Sequence, residues 1–128
     1  MDNSKEQKKA VEKRWREEKY KVMYYSQQHY NSIRQLMKNQ LADIDRLNRE
    51  IAEAYSIEPT HGSMVNTFQH IWGYFKKKAT EEEKKHILNL IDALPSSNDA
   101  LITELSQLAI QYEIQYLKDS SLLKAPLH

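Results

Sequence analysis

Glycine and proline are scarce in this 128-residue chain, which contains two glycines and three prolines. These residues build most tight turns and interrupt helices, so a chain this poor in them connects few and long elements. Much of the remaining sequence consists of Ala, Leu, Glu, Lys and Gln, which all favour helices. We therefore predict an all-α fold, a single-domain bundle of about five helices, because a chain of this length suffices for one domain.

The first predicted helix is long and basic. It begins near Asn3 and continues to about Asn39, and residues 5–21 within it include eight Lys or Arg against four Glu. Residues 3–14 are almost wholly polar, whereas an apolar pattern with helical spacing starts at Trp15. The predicted division is a polar basic helical arm over 1–14, a helical domain over 15–119 and an irregular tail over 120–128.

Short signals mark the boundaries of the later helices. Residues 59–63 form the clearest loop, and Ser63 is the predicted N-cap of a third helix that runs to about Lys78. Residues 80–83 form a capping box that opens a fourth helix. Residues 96–99 cap a fifth helix, whose apolar pattern continues almost to the tail.

Composition excludes several classes of protein. The chain has no cysteine, so it forms no disulfide framework, no thiolate nucleophile and no cysteine-ligated metal or iron–sulfur site. No apolar run approaches the ~18 residues of a membrane-spanning helix, and the first residues are too polar for a signal peptide. We expect a cytoplasmic protein with no membrane partner and no cofactor.

The segment over residues 60–78 carries a polar arc on a helix that is otherwise apolar. Asn66, Gln69, His70 and Gly73 lie on one side, opposite a face that includes Phe68, Ile71 and Trp72. A mid-helix glycine costs about 1 kcal/mol relative to alanine, so a use for it is expected. Three interpretations stay open: a buried hydrogen-bond network where another helix crosses Gly73, a cleft that recognises planar ligands such as bases, or plain exposure to solvent.

Signals for catalysis or for a metal site are weak. His29, His61 and His70 could converge, but no acidic residue stands at ligand spacing beside them. Ser26 or Ser63 would need a base and an orienting group that spacing alone does not identify. We predict no catalytic and no metal-ligating residues, and whether the protein is an enzyme stays open, with a non-enzyme favoured.

Aromatic residues mixed with basic ones suggest a nucleic-acid face. Tyr20, Tyr24, Tyr25 and Tyr30 cluster on the first helix, and residues 74–78 read Tyr-Phe-Lys-Lys-Lys. Aromatic rings can stack on bases while lysines hold phosphates. The alternative is that these rings belong to the core and that the lysines complement the end of a helix dipole.

Three segments together resemble the YbgA family, a bacterial domain of unknown function: Glu18–Lys21, Ser26–Tyr30 and His61–Lys77. The similarity extends roughly from Trp15 to Leu117. It implies an all-helical cytoplasmic domain that occurs alone or fused to a thiouracil-desulfidase-like domain, whose iron–sulfur cluster removes sulfur from thiolated pyrimidines, including 4-thiouridine in tRNA. Carried onto this chain, the candidate binding residues are Tyr20, Ser26, Gln27, His29, Tyr30, Asn66, Gln69, His70, Gly73, Tyr74, Lys76 and Lys77.

We therefore hypothesise an accessory module that binds RNA, in particular tRNA, and has no catalysis of its own. A desulfidase-like protein would act with it in trans, because this chain lacks the cysteines of that chemistry. Two alternatives come from other classes of protein. One is a pocket for a small molecule or a metal ion lined by His, Asn and Gln, and the other is a structural interaction domain that associates with a second copy of itself.

Overall fold

The computed structural model describes residues 3–40 and 42–124, and among these it contains helices and connecting turns without any strand. The helices are α1 (Asn3–Tyr25), α2 (Gln27–Lys38), α3 (Ile44–Tyr55), α4 (His61–Trp72), α5 (Glu81–Asp92), α6 (Asn98–Gln111), α7 (Gln115–Lys118) and α8 (Ser121–Lys124). The all-helical prediction is confirmed, but the described residues form eight helices rather than about five. None of these helices has both the length and the apolar character that crossing a bilayer requires.

The long first helix predicted to reach Asn39 is interrupted at Ser26. This residue has an extended backbone, with φ −155° and ψ 108°, and its hydroxyl accepts a hydrogen bond from the backbone N–H of His29. A serine hydroxyl that caps a new helix in this way competes with continuation of the old one. The chain therefore turns between α1 and α2 at a single residue.

Helix α4 begins and ends earlier than predicted. Thr60, not Ser63, is its N-cap, and the two side chains form a reciprocal capping box with each other's backbone N–H at 3.0 Å. The helix ends at Trp72 with Gly73 as its C-cap, and tighter turns replace the predicted helix up to Lys78. The predicted capping box of Thr80 and Glu83 is confirmed at the start of α5.

The predicted fifth helix is split into α6, α7 and α8. Helix α6 ends at Gln111, and Glu113 adopts a left-handed backbone with φ 55°, which ends the continuous helix. The predicted irregular tail, 120–128, includes α8, whose Leu122 is fully buried, and residues 125–128 lie outside the described part of the chain.

Helix α1 lies between two groups of buried apolar side chains. One face, which includes Val11, Trp15 and Val22, packs with α2 and α3. The roughly opposite face, which includes Tyr20 and Met23, packs with α4, α5, α6, α7 and α8. The sequence predicted one core, whereas the structure has two buried clusters that share α1. This arrangement places the junction of α1 and α2 beside α4, where the candidate site residues lie.

Candidate functional site

An open cleft of about 720 Å³ lies between the α1–α2 junction, the segment before α4, and α4 itself. Four of the predicted binding residues line it: Ser26, Gln27, Asn66 and His70. They come from two distant parts of the chain, and the break at Ser26 brings the first two to the side of α4. Tyr25 and Ile57 supply apolar walls to the same cleft.

Hydrogen bonds fix the polar side chains around this cleft. The side-chain amide nitrogen of Asn66 donates to Gln27 Oε1 at 2.5 Å and so connects α4 to α2. The Nδ1 of His70 lies 2.8 Å from the backbone carbonyl oxygen of Asn66. Ser26 Oγ lies 2.9 Å from the Nδ1 of His29, so this histidine supports the cap rather than lining the cleft. The cleft is therefore bordered by side chains held by local contacts.

The polar arc of α4 faces outward. Gln69, His70 and Gly73 are exposed and Asn66 is half-buried. The three atoms nearest to a Cβ built on Gly73 all belong to the preceding turn of α4, the closest being the carbonyl oxygen of His70 at 3.1 Å. The interpretation of a buried network with a helix crossing at Gly73 is therefore wrong for the described residues, because no neighbouring helix covers this side.

A second group of predicted residues forms a surface that we call the tyrosine cluster, made of Tyr20, Tyr74 and Tyr116. The hydroxyls of Tyr20 and Tyr74 are hydrogen-bonded at 2.7 Å. The ring of Tyr74 stacks against that of Tyr116, with centroids 6.1 Å apart and planes 23° apart. Lys19 Nζ lies 5.5 Å from the ring centroid of Tyr20 and 5.2 Å from that of Tyr116, within cation–π range.

Exposed lysines follow the tyrosine cluster along the chain. Tyr74 is 37% exposed, and Lys76, Lys77 and Lys78 after it are exposed as well. Among the described residues, neither these lysines nor Lys19 lies within 4.0 Å of a carboxylate oxygen. Their charges are thus available to an anionic partner.

Burial, together with the hydrogen bond to Tyr74, raises the pKa of Tyr20 well above its ordinary value. Because an unperturbed tyrosine titrates near 10, Tyr20 stays neutral at physiological pH. Its hydroxyl therefore keeps its hydrogen and can hold the ring of Tyr74 in place. Tyr20 supports the cluster from below, whereas Tyr74 and Tyr116 present its accessible surface.

The remaining predicted residues lie outside both surfaces. Tyr30 is half-buried and packs against Trp15 with ring centroids 5.8 Å apart. His29 Nε2 lies 3.8 Å from a carboxylate oxygen of Glu53. Within the described residues, no three His, Cys, Asp or Glu side chains come together as a metal site, so His29, His61 and His70 do not converge.

Two features of the structure were not predicted from the sequence. Tyr116 joins the tyrosine cluster although it lies far along the chain from Tyr20 and Tyr74. Glu18, which looks like one charge of a basic helix, is only 8% exposed, and its carboxylate accepts a hydrogen bond from the hydroxyl of Tyr55 at 2.5 Å. Arg14 lies 3.3 Å from the same carboxylate. No periodic pattern signals the pairing of Tyr116 with Tyr74 or of Glu18 with Tyr55, because each joins helices distant in sequence.

Comparison with family models matches residues 19–126 to "Protein of unknown function (DUF1722)". The matched range contains all twelve predicted binding residues, both surfaces described above and most of the helical core. No curated protein and no solved structure matches the chain. Since the family model spans well over half of the sequence, the chain belongs to the DUF1722 family.

Proposed function

We propose that this protein is an accessory RNA-binding module without catalysis of its own, and that RNA lies against the tyrosine cluster and the lysines that follow α4. One observation carries the proposal. The stacked rings of Tyr74 and Tyr116 are partly accessible, beside lysines that have no carboxylate within 4.0 Å among the described residues. Aromatic rings that stack on bases, next to cations that hold phosphates, are the usual means of binding single-stranded RNA.

A salt titration of RNA binding tests this proposal. We expect affinity for tRNA, followed by fluorescence anisotropy, to fall steeply as salt rises, because bound lysines displace counterions from phosphates. The double variant Lys76→Ala, Lys77→Ala should lower the magnitude of the log–log salt slope by about 2, about one for each phosphate that the variant no longer neutralises. The matched control is Lys84→Ala, Lys85→Ala, which removes the same charge from the exposed face of α5.

The contribution of the rings is separated from that of charge by two changes at Tyr74. Tyr74→Ala removes the stacking surface and should weaken RNA binding by about 1–3 kcal/mol. Tyr74→Phe keeps the ring, loses only the hydrogen bond to Tyr20, and should retain most of the affinity. Absence of binding at low salt, or equal effects of the test lysine pair and the control pair, contradicts the proposal.

The resemblance to the YbgA family extends the proposal to tRNA as the RNA and to a desulfidase-like protein as a partner in trans. The chain has no cysteine to hold an iron–sulfur cluster, so sulfur removal would belong to that partner. Competition between tRNA and an unrelated structured RNA of equal length tests the first extension. Co-purification with a desulfidase-like protein, with and without ribonuclease treatment, tests the second.

The cleft between α2 and α4 supports a second candidate function, the binding of a free small molecule. The supporting observation is the set of polar side chains around an open space of about 720 Å³. A thermal-shift screen of nucleobases and nucleosides tests it. A ligand that raises the melting temperature of the wild type but not of an Asn66→Leu variant would favour this function over RNA binding alone.

A further inference from the structure

Hydrogen bonds within the cleft leave acceptors, not donors, facing the open space. A backbone carbonyl oxygen can only accept, so the contact between His70 and the Asn66 carbonyl requires the hydrogen to sit on Nδ1. In the neutral imidazole, His70 Nε2 is then an acceptor. The amide nitrogen of Asn66 is used by Gln27 Oε1, which leaves the Asn66 Oδ1 as a second acceptor. Among the described residues, neither atom has a hydrogen-bond partner.

Gln27 reinforces this arrangement from α2. Its side-chain nitrogen donates to Asn31 Oδ1 at 3.2 Å, so its oxygen is the atom that faces Asn66. The amide chain from Asn31 through Gln27 to Asn66 therefore runs in one direction. A reversal of one amide would place two like atoms against each other, which disfavours the opposite orientation.

The walls of the cleft suit a flat and partly apolar ligand. The ring of Tyr25 is held between the rings of Tyr24 and Tyr55, each with its centroid 5.3 Å away. Ile57, which lines the same cleft, is 40% exposed and presents apolar surface to solvent. A planar ring with N–H groups along one edge would use both the walls and the two acceptors.

The cleft also lies next to the tyrosine cluster along the chain. Tyr74 follows His70 by four residues, a distance of about 6 Å along a helix. Gly73 stands between them without a side chain and is exposed. A strand that stacks on Tyr74 could therefore pass Gly73 and place another base in the cleft.

We propose that the cleft binds one nucleobase that carries an exocyclic amino group, in preference to uracil, and so gives the RNA-binding surface base selectivity. This inference rests on the proposed RNA binding. Amino groups of cytosine, adenine and guanine donate hydrogen bonds, whereas the O4 of a uracil-type base only accepts. Uracil would thus bring its carbonyl oxygens against the acceptors of Asn66 and His70.

The experiment compares short oligonucleotides of equal length made only of cytidine, adenosine or uridine. Anisotropy at one low salt concentration should show oligocytidine and oligoadenosine binding about tenfold more tightly than oligouridine, near the low end of discrimination by base contacts. The variants Asn66→Leu and His70→Phe remove one acceptor each and keep side-chain bulk. Both should lose the preference while binding oligouridine as the wild type does.

Failure of this inference is distinguishable from failure of the proposed function. Equal binding of all oligonucleotides, or an unchanged preference in both variants, overturns the base-selective cleft and leaves RNA binding intact. If the wild type binds no oligonucleotide, RNA binding fails, and titration with cytidine and uridine monophosphates decides about the cleft. NMR shifts of the His70 ring with the cytidine nucleotide alone would support it as a site for free nucleotides, and equal or absent shifts would overturn it.

Discussion

Two polar regions of this protein have opposite surroundings. On α1, Glu18 is buried and is held by Tyr55 of α3 and by Arg14 of its own helix. On α4, the arc that includes Asn66 and His70 faces solvent and is held mainly by contacts along or next to its own helix. The sequence suggested the reverse, with charges at the surface of α1 and a network of amide and imidazole groups inside the bundle.

The difference shows what each region contributes. A buried carboxylate must be paired, so the Glu18 contact ties α1 to α3 and belongs to the stability of the fold. Exposed polar groups with unused acceptors add little to stability, so the residues of the α4 arc are free to serve binding. The predictions below either widen this contrast or remove it.

The largest effect is expected at Glu18. Glu18→Ala leaves the Tyr55 hydroxyl without its acceptor and should lower the free energy of unfolding by about 2–3 kcal/mol. Urea denaturation followed by circular dichroism measures the change. Glu12→Ala is the matched control, because it removes the same side chain from an exposed position on the same helix, and its effect should stay within about 0.5 kcal/mol. Equal effects of the two changes would remove the contrast.

The buried side should also lose stability at alkaline pH. Burial, then the hydrogen bond to Glu18 and the charge of that carboxylate, raise the pKa of Tyr55. The folded protein therefore keeps a proton that the unfolded chain releases near pH 10, so stability is complete below that pH and falls as pH rises above it. The loss is up to about 1.4 kcal/mol for each pH unit from one such tyrosine.

Tyr55→Phe isolates this contribution. The variant lacks the titrating hydroxyl, so its unfolding free energy should fall less steeply than that of the wild type between about pH 10 and pH 11. Tyr20→Phe provides a comparison in the other region, because the pKa of Tyr20 is raised as well, first by burial and then by Tyr74. A slope that Tyr55→Phe leaves unchanged would show that the Glu18 contact does not control the protonation of Tyr55.

A small effect on stability is expected on the α4 arc. Asn66→Ala removes one half-buried hydrogen bond, to Gln27, and should cost about 0.5–1 kcal/mol. His70→Ala, at an exposed position, should cost about 0.5 kcal/mol or less. Asn89→Ala, an exposed asparagine of α5, is the control for both. A loss of several kcal/mol at either residue would restore the interpretation of a buried network.

Local signals predicted the fold class and several helix boundaries. The scarcity of glycine and proline indicated helices, and the Thr80–Glu83 capping box marks the start of α5 as predicted. Ser26 was missed as a break because a serine within a helical pattern can point to solvent or cap a new helix, and only packing decides between them. The same holds for Glu113, where a left-handed residue ends the continuous helix without a glycine.

The candidate site was predictable only in part. Helical spacing placed Asn66, His70 and Gly73 on one side of α4, but it could not show that no helix covers that side. Tyr116 was not predicted, because its stacking on Tyr74 depends on the chain reversals between α6 and α7. Pairing across distant helices is set by tertiary packing, and no pattern in a single segment records it.

The smallest effect is expected at Gly73. Its backbone has φ −54° and ψ −28°, which any residue adopts, so folding does not require glycine at this position. Alanine gains helical preference over glycine, but its Cβ would lie 3.1 Å from the carbonyl oxygen of His70, and these effects oppose each other. Gly73→Ala should therefore change the free energy of unfolding by roughly 0.5 kcal/mol or less in either direction. Gly62→Ala, whose Cβ would meet only Thr60 Oγ1 at 3.9 Å, is the control for stability. If the Gly73 variant keeps its stability and loses affinity for RNA, the glycine serves the passage of a ligand, whereas a large loss of stability would show that packing fixes this residue.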